Sequence, residues 1–240
     1  MIQQSITAKE SRQGGQASRC SRCATRSICI VSCVDRATGL RLGESTTERG
    51  ASKGDLLQVQ GELAPKIAIV KMGVVAGTRQ IRHECGAYVA VFGKGSILGS
   101  ESLRGHPNTL GATALTFCRI CEISVDDLYR IGAVSPAFLG CLTDSGARSF
   151  SVLADWANMM HVKGVQQRLH LALYLLVRQS GAQVIRLPSH VVLASLLSIT
   201  RESVARNLRL LEEQGVLKRL DRWHCELLSL PDATEPPTEH

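Results

Sequence analysis

Cysteine is the residue type best placed to do chemistry in this chain of 240 residues, which has nine of them. Cys20, Cys23, Cys29 and Cys33 fall within 14 residues, where even scatter would place roughly 0.5. Thiolates are soft donors that hold zinc or iron–sulfur clusters, and a pair of them can be a redox dithiol. All three chemistries are open to such a group. Cys20-x2-Cys23 with Cys118-x2-Cys121 looks like two zinc half-sites, but the 94 residues between the pairs are unlike a compact zinc module. Arg19, Arg22 and Arg26 flank the first pair; their charge would make the thiols reactive or offset an anionic cluster. Cys33 and Cys118 lie near enough in sequence to replace a ligand. Cys85, Cys141 and Cys225 are isolated and read as small core or wing residues.

The opening MIQQSITAKESRQGG has no apolar stretch of the kind a secretory signal needs. A cytoplasmic chain follows as the expectation, and with it no stable disulfides. No apolar run approaches the length of a membrane span. His83, His106, His161, His170, His190 and His224 are scattered, with no ligand spacing among them. No nucleophile–base pair is evident, and GKGSILG lacks the strand–loop–helix context of a phosphate loop, so no catalytic residues are expected. A net charge of +7 allows a polyanion partner.

The elements that must position these residues are legible in outline. With 44% hydrophobic and 4% aromatic residues, the chain has a core built mainly of Leu, Val, Ile and Ala. Residues 1–19 and 231–240 read as flexible tails. Between about residues 40 and 123, glycines alternate with short apolar pieces (LLQV, IAIV, AYVAVF, TALTF, ICEI), the texture of a small all-β sandwich or barrel. Together with the cysteine segment this forms a unit over 20–131. A short helix is expected near Asp126–Ile131. A long helix follows within 132–163, started by Ser135–Pro136, with Phe138, Leu142, Phe150, Leu153, Trp156, Ala157 and Met160 in one stripe. That stripe is surplus to one domain and reads as a dimer seam.

The third unit, 164–230, carries a helix-turn-helix. SHVVLASLL is a short helix capped by Ser189, SIT a turn, and RESVARNLRLLEEQG a second helix capped by Thr200 and ended at Gly215. Ala194, Ile199, Val204 and Leu208 supply the packing positions across the turn. Arg201, Glu202 and Arg206 share one arc of the second helix; Arg matches guanine and Glu accepts from cytosine. VLKRLDRWHCELL reads as a two-stranded wing with Lys218, Arg219 and Arg222 at its turn for phosphates. Ser198 stands where such turns more often have Gly.

In this order, sensor-like β region, long helix and winged helix resemble the Crp/Fnr family of dimeric transcription regulators over about residues 20–230. Thr200–Leu208, T-R-E-S-V-A-R-N-L, resembles the family's recognition helix. Lys53–Gly54–Asp55, IAIVKMGVV and FGKGSILG resemble its β-roll phrases. The implied fold class is α+β: a cupin-like β-roll of the cyclic-nucleotide-binding type, a dimerisation helix and a C-terminal winged helix-turn-helix. Cyclic-nucleotide binders of the family have a Glu and an Arg where this chain has Ser100 and Asn108, so no cyclic nucleotide is expected. Cys20-x2-Cys23-x5-Cys29 resembles instead the signature of the Fnr-type oxygen sensors, and CRICEISVDDL aligns Cys121 with their fourth ligand.

The resemblance therefore implies an oxygen-labile 4Fe–4S cluster on Cys20, Cys23, Cys29 and Cys121. It favours a homodimer packed along the long helix, which oxygen dissociates by dismantling the cluster. Asp155, on that helix, is expected to meet its counterpart and repel it in the cluster-free form. The implied partners are a palindromic promoter site in double-stranded DNA, read from Ser189, His190, Thr200, Arg201, Glu202, Ala205 and Arg206, and RNA polymerase, with no membrane. Sensing by thiols, nitric oxide or haem is the alternative within regulators. A redox or metal-binding protein with a merely structural helix-turn-helix is the alternative outside them.

Overall fold

The computed structural model describes residues 20, 23–80 and 86–231. Both expected tails, apart from Pro231, and also His83 and Cys85, lie outside the described residues. Among the described residues eight strands form two antiparallel four-stranded sheets. The first runs β1 (Thr47–Ala51), β8 (Cys118–Ser124), β3 (Lys66–Met72), β6 (Ile97–Leu98); the second runs β2 (Leu56–Gln58), β7 (Gly111–Ala114), β4 (Val75–Arg79), β5 (Ala87–Phe92).

The period-two alternation of side chains divides the apolar residues of β3 and β8 between two cores. Ala68, Val70, Cys118 and Ile120 point between the sheets and meet Ala51, Val75, Ala112 and Ala114. Ile67, Ile69, Cys121 and Ile123 point outward into a second core. That outer face is covered by Ile30 and Val31 of the cysteine segment, by Leu42 on α1 (Arg36–Ser45), by Leu128 on α2 (Val125–Arg130) and by Phe138 on α3 (Pro136–Met159). The sequence pattern alone shows no helix at α1. It forms because the Asp35 carboxylate accepts from the Ala37 and Thr38 amides at 2.9 and 3.0 Å, a local cap at the helix start.

The outer face of the second sheet carries the C-terminal unit. Ala76, Ala90 and Phe92 share a core with Trp156 and Met159 of α3, with α4 (Val165–Ser180) and with α5 (His190–Leu197). Approach is close at Gly93, where a Cβ would lie 1.8 Å from the Gln179 carbonyl oxygen. After α6 (Arg201–Glu213) the chain ends in a sheet of β10 (Leu217–Arg219), β11 (His224–Leu227) and β9 (Val184–Arg186), in that order. The wing is thus three-stranded rather than two-stranded. Ile185 pairs with Cys225, and three residues of β9 beside a linker are too few to show a period. Cys225 is buried in this core, as expected.

α3 divides the stripe expected of it. Phe138, Trp156 and Met159 are buried against their own chain, whereas Leu139 is 45% and Phe150 72% exposed. Leu139, Thr143, Gly146 and Phe150 follow the four-three spacing of a helix seam and all face solvent. Asp155 is not the unpaired charge that repulsion between two copies requires, because Arg178 of α4 donates to it at 3.0 Å. Among the described residues no helix is long and apolar enough to cross a membrane.

Ser198 closes α5 at φ 52° and ψ 49°, the left-handed region that favours glycine. Ser198→Gly should therefore stabilise the fold by about 0.5–1 kcal/mol, raising the melting temperature by roughly 1–4 °C in thermal denaturation. Ser198→Val should lower it.

Candidate thiol site and nucleic-acid interface

Cys20, Cys23, Cys29 and Cys121 line one cavity, closed on its floor by Ile69 and Val31 and on its wall by Lys71, Glu48 and Arg26. Successive tight turns carry the first three there: the Cys23 amide donates to Cys20 O, Arg26 to Cys23 O and Cys29 to Arg26 O at 3.3, 3.0 and 3.2 Å. Strand alternation on β8 brings the fourth. The structure thus gathers four cysteines that lie up to 101 residues apart in sequence.

As free thiols they are unlike one another. Burial raises Cys20, Cys29 and, most, Cys121, which is pushed up to about 12. Burial acts upward on Cys23 too, but hydrogen bonds from Thr25 and the charge of Lys71 outweigh it and its pKa falls. Lys71 is bonded to Glu48 at 2.6 Å, and Arg119 also reaches Glu48. The charge of Lys71 lowers all four thiols, while Glu48 beside it raises Cys20, Cys23 and Cys121, and only Cys23 is lowered overall.

The remaining cysteines separate cleanly. Cys118 is fully buried between the sheets, its Sγ 3.4 Å from Val74 O, on the opposite face of β8 from Cys121. It is no substitute ligand, and zinc bound by Cys118 and Cys121 together is ruled out by that alternation. Cys33 and Cys141 correct three expectations at once: they form a disulfide where none was expected, Cys141 is not isolated, and Cys33 so bonded is not a spare ligand. Among the described residues no three His, Cys, Asp or Glu side chains converge as ligands of a single ion. His224 pairs with Asp221 and His170 with Ser229 O, and neither joins the thiol cavity.

The resemblance would put the contacts of a cyclic phosphate at Ser100 and Asn108. Asn108 is buried and holds the Val59–Glu62 turn, donating from Nδ2 to Val59 O at 3.1 Å and from its amide to Glu62 O at 2.8 Å, while its Oδ1 is buried without a partner. Glu101 accepts from the Thr109 hydroxyl at 2.9 Å. A guanidinium does reach this loop, from Arg79, but it is spent on Thr109 O and lies exposed.

At the other end of the molecule, Ser189 caps α5 and Thr200 caps α6, each hydroxyl accepting from the amide three residues on. Ala194, Val204 and Leu208 are buried and Ile199 is half-buried. Arg201, Glu202, Ala205, Arg206 and Arg209 are exposed, as are His190 and Thr200. The Glu202 carboxylate is held below its ordinary pKa by its own amide and the Thr200 hydroxyl, so it stays ionised at the start of α6. On the wing, Arg219 pairs with Glu212 at 3.5 Å and Lys218 and Arg222 are exposed. Sequence reasoning missed Trp223, whose ring takes Arg222 at 4.8 Å and Lys53 of the β-roll at 5.8 Å.

Two family models match the chain: the cyclic nucleotide-binding domain over residues 48–133 and the Crp-like helix-turn-helix domain over residues 167–232. A sensor roll followed by this DNA-binding unit defines a transcription regulator rather than an enzyme. The chain belongs to the Crp/Fnr family, whose members are generally dimeric. Solved structures share the fold. FixK2 from Bradyrhizobium japonicum has a TM-score of 0.65 at 22% identity, with 77% of this chain and 93% of that one covered. The c-di-GMP responsive global regulator CLP of Xanthomonas campestris has a TM-score of 0.63 at 20% identity, with 81% and 100% covered. A CRP-family transcriptional regulator from Thermus thermophilus has a TM-score of 0.61 at 18% identity, with 76% and 92% covered. No curated protein matches the sequence.

Proposed function

We propose that this DNA-binding regulator responds to oxygen through a 4Fe–4S cluster held by Cys20, Cys23, Cys29 and Cys121. The observation that carries the reading is the convergence of these four cysteines in one cavity, with cations in its wall. The residues fit the group: four soft donors, an apolar floor, and Lys71 and Arg26 to offset an anionic centre. When bound, the cluster supplies an oxygen-sensitive iron–sulfur centre.

The chain's own residues do the rest. With a cluster bound, Cys20, Cys23 and Cys29 would tie the cysteine segment to Cys121 on the first sheet, over the core that also receives Phe138 of α3. Ligand loss frees that segment and weakens the seat of the helix. The exposed seam of Leu139, Thr143, Gly146 and Phe150 is the surface for a second copy of the chain, setting two α6 helices for a palindromic site. RNA polymerase is the partner expected at the promoter, and the cytoplasm, where promoter DNA lies, is the place of action. A cyclic nucleotide is not the input, since Ser100 and Asn108 offer a phosphate no charge.

Anaerobic purification tests this in one experiment. About four irons and four sulfides per chain are expected, with DNA binding that follows them, is lost in air and ignores cyclic AMP and cyclic GMP. Iron-free protein that binds DNA equally in air and nitrogen, or that tightens with either nucleotide, overturns the reading.

A further inference from the structure

The disulfide joins the two parts whose relation matters most. Cys33 ends a short 3-10 turn (Ile30–Cys33), four residues after Cys29, and Cys141 sits in the first half of α3. Their Cα atoms are 6.4 Å apart, within the span a disulfide bridges without backbone movement. Neither lines the four-thiol cavity. Both are half-buried, so a small reagent can reach them, and accessible disulfides are the reducible ones.

Cys141 lies on the face of α3 that carries Phe138 and Ser145 against its own chain, leaving the seam of Leu139 and Phe150 free. This first half of α3 is also the weak half. Gly140 and Gly146 lower its helix propensity, and a Cβ at either would meet nothing within 4 Å, so no packing within the chain requires them.

We propose that Cys33 and Cys141 are a reversible dithiol–disulfide switch, separate from the four-thiol site, that pins the glycine-weakened half of α3 to the cysteine segment when oxidised. The oxidant is a low-molecular-weight disulfide. One thiolate attacks it, forming a mixed disulfide and releasing one thiol. The second thiolate then attacks the protein-bound sulfur, closing the Cys33–Cys141 bond and releasing the other thiol. Two electrons and two protons leave the protein and reduce the oxidant to two thiols. By fixing α3 with its seam outward, the oxidised form favours the dimer.

The test uses the full chain, reduced and alkylated or equilibrated with glutathione disulfide, then digested and weighed without reduction. One intrachain link between the peptides holding residues 33 and 141 is expected, reversed by reduced glutathione. Sedimentation should show the dimer dissociation constant falling about five-fold or more on oxidation. Cys33→Ser and Cys141→Ser should each abolish that difference while keeping full iron and sulfide after anaerobic loading. Iron loss in Cys33→Ser makes Cys33 a ligand and overturns the switch. Free alkylation of both thiols at equilibrium with glutathione disulfide overturns it, as does a link that reduced glutathione leaves intact. Equal dimerisation of the reduced and oxidised forms overturns its effect on α3. Because iron and sulfide are counted separately, the cluster reading can fail while the switch stands.

Discussion

Cys121→Ser should strip the anaerobically purified protein of iron and sulfide and of oxygen-dependent DNA binding, while Cys118→Ser should keep all three. The two cysteines are three residues apart on β8, yet they face opposite sides of the sheet. Cys121 shares the outer face with Ile69 and lines the cavity with Cys20, Cys23 and Cys29. Cys118 is sealed between the sheets beside Val74. A hard hydroxyl is a poor iron ligand among thiolates, so the loss at Cys121 should be near complete, as it should for Cys20, Cys23 and Cys29 singly. At Cys118 the effect is one of packing: truncation to Ala should cost about 1–2 kcal/mol of stability without changing the iron content. A Cys121→Ser protein with a full complement of iron, set beside a depleted Cys118→Ser protein, would falsify the assignment of the fourth ligand.

Much of the fold is legible in the sequence because its signals are local. The glycine-punctuated apolar pieces became β2, β3, β5, β7 and β8, and Ser135, Ser189 and Thr200 cap the helices they announced. What is not legible depends on tertiary contact. The apolar residues of α3 have one spacing, but whether each faces its own roll or solvent is decided by the packing of Phe138 and Trp156. Asp155 gives no hint of Arg178, 23 residues away. Cys33 and Cys141 are 108 residues apart, and no pattern in a single sequence joins two half-buried cysteines at that distance. The thiol quartet is different, since the spacing of Cys20, Cys23 and Cys29 is local. Cys121 is reached through the resemblance, and strand alternation is the physical reason it, rather than Cys118, lines the cavity.

Selection from random DNA should recover inverted repeats of a G-T-G-A type half-site. Oxygen-sensing members of the family usually have an apolar residue where this chain has Arg201 and a Ser where it has Ala205, and they select T-T-G-A-T. Glu202 and Arg206 are common to both branches and should read the shared T-G-A core, Glu202 at a cytosine and Arg206 at a guanine. Both side chains are exposed, and Glu202 remains an ionised acceptor at the start of α6. Arg201 opens that helix, one residue after the Thr200 cap, and is exposed. The first residues of a recognition helix are those that reach base edges. Its fork adds a second bidentate donor, best matched to another guanine, and Ala205 offers only a methyl contact to thymine. Each wrong pair should cost about 1–3 kcal/mol. Arg201→Val should therefore relax the choice of the outer guanine alone, while Arg206→Ala weakens binding to every site. Lys218→Ala on the wing should lower affinity evenly across sequences and reduce the salt slope by about one. Recovery of T-T-G-A-T half-sites would place Arg201 on a phosphate, and the same Arg201→Val variant would then lose salt dependence instead of base preference.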